Sequence, residues 1–216
     1  MGTSVRIKIC GFTRAADVED AVDAGAHLVG FNFWRGSKRY VDPLGSEDWL
    51  RGVSSMVVRV GLFVNASLEE IRCVVGKGLV DVVQLHGDES DVFCREVVAM
   101  GVRVLRAVRV RDVETGLQAM GGAPGRDVLI DAAVEGAFGG TGVSLNLDLA
   151  SALVRNQAGK RVLLAGGLTP MNVALAVRTV RPAGVDVASG VESSPGVKDA
   201  SLMREFCREV RMAIPG

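Results

Sequence analysis

The 216-residue sequence predicts an α/β fold: a single-domain parallel (β/α)8 (TIM) barrel spanning residues 1–216. Three observations predict it. Short β-branched runs recur along the chain, most of them just after a glycine. Segments with helical apolar spacing lie between them. Eight such runs in a chain of this length match a closed barrel, which typically needs roughly 250 residues or somewhat fewer. An open doubly wound sheet is the alternative. No G-x-G-x-x-G opens a helix after the first run, which argues against a dinucleotide-binding version of that sheet.

The strands follow in order. "VRIKI" at 5–9 is the first. "AHLVGFNF" follows Gly25, and "VVRVGLF" occupies 57–63. "LVDVVQL" follows Gly78, "VRVLRAV" follows Gly101 and "RDVLID" follows Gly125. "KRVLLA" follows Gly159, and "VDVAS" follows Gly184. A glycine after a helix takes the left-handed cap that other residues avoid. A continuous apolar run after it reads as a strand buried on both faces.

Between the strands, "TRAADVEDAVDA" reads as a helix with Thr13 as N-cap. "NASLEEIRCVVGK" begins similarly, with Asn65 or Ser67 as cap. "ESDVFCREVVAM" places Val92, Phe93, Cys94, Val97 and Val98 on one helical face. A helix is also read over 111–120, and "SLNLDLASALVR", "TPMNVALAVRTV" and "SLMREFCREVRM" supply the later ones.

Composition narrows the function. Lys+Arg and Asp+Glu balance at 25 each, so global charge points to neither nucleic acid nor an acidic membrane surface. No apolar run approaches the ~20 residues of a membrane span, and no signal peptide is read. The four cysteines, Cys10, Cys73, Cys94 and Cys207, form no C-x-x-C pair or metal knuckle. A soluble cytoplasmic enzyme or binding protein is the expectation.

Barrel chemistry sits at the C-terminal ends of the strands. Those ends gather Cys10, then "WRGSKRYV" with Arg39, "QLHGDE" with His86, and Asp131. Cys10 alone reads first as a small buried core residue. Its place beside a glycine turn also suits a nucleophile or base. Asp131 alone suits a turn cap; facing a thiol across a barrel mouth, it makes half of an acid–base pair. "AGGLTP" and "ASGVE" follow the seventh and eighth strands, where barrels commonly hold phosphate on backbone N–H groups. Arg39 is a fork for a carboxylate or phosphate, and His27 lies away from the rim as a structural residue.

The ordered motifs resemble the phosphoribosylanthranilate isomerase family almost end to end. They are "KICG" at 8–11, "GFNFWRGSKRYV" at 30–41, "VGLFVN" at 60–65 and "VQLHGDE" at 83–89. "LIDAAVEGAFGGTG" at 129–142, "LAGGLTPMNV" at 164–173 and "GVDVASGVESSPGVKD" at 184–199 complete the set. The resemblance implies an Amadori rearrangement of N-(5-phosphoribosyl)anthranilate with no metal or organic cofactor. It implies Cys10 as base, Asp131 as acid and Arg39 on the anthranilate carboxylate. Gln84, His86 and Asp186 would shape the pocket. Gly166, Gly167, Ser189 and Gly190 would hold phosphate, with Gly140 of the "GGTG" stretch beside them, and the loop "VEGAFGGTG" would close over substrate. The only partner implied is the phosphorylated aminosugar substrate, and a monomer is expected in preference to a homodimer. This chain departs from the family's "GGTGKTFDW" at Val143 and at Leu145, Asn146 and Leu147. Two alternatives remain open at this stage. One is the histidine-pathway isomerase, disfavoured because no half-repeat is seen; the other is a silent phosphate-binding barrel, supported only by that altered loop.

Overall fold

A computed structural model of the chain describes residues 5–132, 146–157 and 159–214. Its strands are β1 (Arg6–Cys10), β2 (Leu28–Asn32), β3 (Val58–Phe63), β4 (Val82–Leu85), β5 (Arg103–Val110), β6 (Asp127–Ala132), β7 (Arg161–Leu164) and β8 (Gly184–Val187). They pair in chain order, all parallel, and β8 closes onto β1 from Arg6↔Gly184 to Ile9↔Val187. The helices between and after them are α1 (Ala15–Ala24), α2 (Glu47–Arg51), α3 (Leu68–Gly76), α4 (Asp91–Ala99), α5 (Val113–Gly122), α6 (Leu147–Asn156), α7 (Val173–Val180) and α8 (Ala200–Met212). A 3-10 turn (Ser189–Val191) and a small hairpin, β9 (Glu192–Ser194) with β10 (Val197–Lys198), separate β8 from α8. The chain is therefore a closed barrel and not an open sheet.

Side chains alternate across each strand, so a barrel strand has a helix-facing row and an interior row. In β1, Ile7 and Ile9 are fully buried in the outer core with Phe206 and Cys207 of α8. Lys8 and Cys10 take the interior row. Lower in the barrel that interior is apolar, filled by Leu28, Val60, Val82, Leu105, Leu129 and Leu163. The polar interior side chains belong to the opposite rim. The helices pack on this frame by one stripe each. In α8, Met203, Phe206, Cys207 and Val210 recur at i, i+3, i+4, i+7 and are all fully buried.

Several local expectations change. Thr13 does not cap α1: Arg14 stands at the N-cap, and the Thr13 hydroxyl donates to the Gly196 carbonyl at 2.6 Å, because the hairpin lies against this turn. Ser67, not Asn65, caps α3, in a reciprocal pair with Glu70. In α4 only Cys94 and Val97 are fully buried. Val92 lies about 200° around the helix from Cys94, Val98 lies at the edge of the stripe, and both are exposed. The helix read over 111–120 is α5, and Asp112 caps it. Asn146, inside the altered stretch, caps α6 by accepting from the N–H groups of Asp148 and Leu149. Gly140, Val143, Leu145 and the loop "VEGAFGGTG" lie outside the described residues. No helix among the described residues is long and apolar enough to cross a membrane.

Candidate active site

The C-terminal rim encloses a cavity of about 520 Å³. Cys10, Arg39, His86, Asp131, Gly167 and Ser189 line it, as do Gln84, Asp186 and Gly166. Gly190 is not on the wall. His27 is remote, and its Nδ1 accepts from the Ile7 N–H, a structural role. Among the described residues no group of three or more His, Cys, Asp or Glu is arranged to hold a metal ion.

Lys8 is fully buried two residues before Cys10, and its Nζ donates to Asp186 Oδ1 of β8 at 2.9 Å. Burial works against the lysine charge, but Asp186 and the Cys10 sulfur outweigh it, so Lys8 stays protonated. Burial pushes Asp186 up; Lys8 draws it back and Asp131 adds repulsion. Burial also pushes the Cys10 thiol above its ordinary value, against the pull of Lys8 and Lys198. The resting thiol is thus protonated, with two ammonium groups placed to favour the thiolate once formed.

Arg39 comes from the loop after β2. That loop is folded by Asn32, whose side chain meets Ser37 and the Trp34 N–H, and by the Ser37 hydroxyl, which accepts from the Arg39 N–H. The guanidinium makes a two-point contact with Glu192 through Nε and Nη2, at 2.8 and 2.7 Å. Fully buried Lys198 donates to the same carboxylate and to the carbonyls of Cys10 and Ala188. One carboxylate therefore holds both cations, and one lysine joins the Cys10 backbone to the Arg39 support. Burial works to raise the Glu192 carboxyl, but Arg39 and Lys198 outweigh it and hold it below the ordinary glutamate value.

Gln84 of β4 and His86, the residue just past its end, both face the cavity. Gln84 Nε2 lies 3.0 Å from His86 Nδ1, and His86 Nε2 lies 3.1 Å from Asp131 Oδ2. All three side chains are buried.

The loop after β7 turns through Gly166 and Gly167, both at positive φ (99° and 64°). Asn172 pins it, donating to the Gly167 carbonyl and accepting from the Thr169 N–H. Gly190 meets this loop from the β8 side: a Cβ there would stand 2.0 Å from the Leu168 carbonyl oxygen. Gly190 therefore lets the two loops touch.

The sequence reading gave no role to Lys8, Glu192 or Lys198. Lys8 had a signal: a lysine within an apolar strand, on the parity of Cys10, must find a buried counter-charge. Glu192 and Lys198 had none, since their link to Arg39 spans some 150 residues of chain.

A closed parallel barrel with ionisable side chains gathered around one C-terminal cavity defines a (β/α)8 enzyme. The sequence model of N-(5'-phosphoribosyl)anthranilate isomerase matches residues 7–209. The isomerase of Geotalea daltonii is 44% identical over 206 residues, covering 95% of this chain and 96% of its own. The crystal structure of the Thermus thermophilus isomerase superposes with a TM-score of 0.85 at 32% identity, over 96% of this chain and 99% of that one. A further isomerase structure, in complex with reduced 1-(o-carboxyphenylamino)-1-deoxyribulose 5-phosphate, gives 0.81 at 34% identity over the same shares. The chain belongs to the N-(5'-phosphoribosyl)anthranilate isomerase family. Its activity is that isomerisation, a step of tryptophan biosynthesis.

Proposed function

We propose that Asp131 supplies and Cys10 removes the protons of this rearrangement. The observation that carries the reading is the placement of a buried thiol and a buried carboxyl on one cavity, with Lys8 beneath the thiol. Asp131 protonates the furanose ring oxygen, and the ring opens to an iminium. The iminium acidifies the sugar C2–H. Cys10, as thiolate, takes that proton, and the resulting enol-amine tautomerises to the ketone, so atoms balance without an external reagent. Arg39 receives the anthranilate carboxylate on the end of its guanidinium not committed to Glu192. Backbone N–H groups at Gly166, Gly167 and Ser189 receive the phosphate. Gly190 keeps the two loops together, Asp186 holds Lys8 in place, and Gly140 falls outside what the structure describes.

The enzyme acts as a monomer in this reading. It works in the cytoplasm, where its four free thiols stay reduced. Loss of substrate fluorescence on purified protein measures the activity. Cys10→Ala should lower kcat by roughly 10²–10⁴-fold; full activity would refute the base assignment.

A further inference from the structure

We propose that Gln84 is a positioning residue: its amide fixes which nitrogen of His86 carries the proton, and through it which oxygen of Asp131 donates to substrate. The second half rests on the reading of Asp131 as the acid.

The geometry is a chain of two contacts, Gln84 Nε2 to His86 Nδ1 at 3.0 Å and His86 Nε2 to Asp131 Oδ2 at 3.1 Å. An imidazole between two partners passes polarity along. If the amide nitrogen faces the ring, it donates to Nδ1, the ring proton sits on Nε2, and Asp131 Oδ2 accepts. If the amide oxygen faces the ring, Nδ1 carries a proton, and the ring is either neutral with Nε2 accepting from a protonated Oδ2, or an imidazolium donating from both nitrogens. The two arrangements exclude each other.

Burial chooses between them. Gln84 is fully buried, and in the first arrangement its Oε1 has no hydrogen-bond partner among the described residues. The second arrangement would put the NH2 group in that partnerless place, stranding two N–H donors. Buried donors without an acceptor are rarer than under-used carbonyl oxygens. The amide nitrogen therefore faces His86. It also disfavours the imidazolium, whose Nδ1–H would then point at another donor. His86 is held neutral, protonated on Nε2, and it occupies Oδ2 as an acceptor. The acid proton of Asp131 is left on Oδ1, and the ring cannot draw it away.

The chain has two histidines, so ¹⁵N-histidine NMR of the whole protein is directly readable. His27, whose Nδ1 accepts from the Ile7 N–H, is an internal reference for the same neutral tautomer. The wild type should show both rings neutral and protonated on Nε2 at pH 7.5, with His86 assigned by its loss in His86→Asn. A His86 protonated on Nδ1, or on both nitrogens, overturns the proposal without any Gln84 variant. Gln84→Glu presents an acceptor instead of a donor. It should put a proton on both ring nitrogens, an imidazolium between two carboxylates that holds Asp131 ionised, and lower kcat by about 100-fold with KM changed less than about threefold. An imidazolium with unchanged kcat, or a ring that keeps the wild-type tautomer, overturns the proposal. Gln84→Met, with neither donor nor acceptor, should give mixed tautomers and a smaller loss of kcat. It provides the same comparison if the glutamate variant does not fold, and unchanged tautomers in it also overturn the proposal. Full activity in Asp131→Asn would overturn the acid assignment by itself, whereas the wild-type spectrum tests Gln84 independently.

Discussion

Replacing Gly190 by alanine puts a methyl carbon 2.0 Å from the Leu168 carbonyl oxygen, where real contacts stay above 3.0 Å. The obstructing atom is main chain, so no rotamer change relieves it, and the β7 and β8 loops must separate by about 1 Å. Overpacking of this kind costs about 1–3 kcal/mol. At 2 kcal/mol, a chain of this size should lose roughly 4–8 °C of melting temperature. The same 1 Å would stretch an N–H···O contact to phosphate from about 2.9 to about 3.9 Å, past hydrogen-bonding distance. A hydrogen bond to a charged group contributes about 1.5–3 kcal/mol, so KM should rise roughly tenfold to a hundredfold. Steady-state kinetics by substrate fluorescence, with inorganic phosphate as competitor, read the second effect; a thermal melt reads the first. A lower melting temperature with unchanged KM would show that the contact is structural only and that these loops do not share the phosphate.

Glu192→Gln leaves Lys198 and Arg39 facing a neutral amide in a buried place; unpairing buried charges costs about 3–5 kcal/mol, or roughly 6–20 °C of melting temperature by the same scaling. A thermal melt within 2 °C of wild type, taken as the ~2 °C scale of small effects, would refute that account. At Gly30 an added Cβ would lie 2.6 Å from the Cys10 sulfur, so Gly30→Ala should displace the thiol and cut kcat by about 100-fold, as measured in single-turnover assays. Cys207 is buried in the outer core and pushed to about 11 from an ordinary 9.0. Burial favours its neutral form, so its share of stability is complete below pH 9 and is lost as pH rises toward 11. That share is about 3 kcal/mol, and Cys207→Ala should remove that much of the alkaline fall in unfolding free energy measured by urea titration.

The eight strands were legible because a strand buried on both faces writes itself as an uninterrupted β-branched run, and the glycine before most of them marks where a helix ends. The faces of single helices were less legible: periodicity grouped Val92 and Val98 with Cys94, but only packing decides how wide the buried stripe of α4 is. Thr13 had the chemistry of a cap and went instead to the Gly196 carbonyl, a partner distant in sequence. The site shows the same division. Cys10, Asp131 and the glycine loops are marked by residue type at strand ends. The Arg39–Glu192–Lys198 junction is a tertiary contact that no local pattern announces.

The alternation along β1 has a consequence for how the enzyme tolerates change. Even-numbered residues there, Lys8 and Cys10, look into the barrel, and their neighbours Ile7 and Ile9 look out to the helices. Parity along the four residues Ile7 to Cys10 thus sorts mutational damage into two currents. A change at an odd position reaches folding, and a change at an even one reaches proton transfer. Stabilising substitutions accumulated on the outer row would leave the chemistry untouched, so the strand can drift in one property while the other is held fixed.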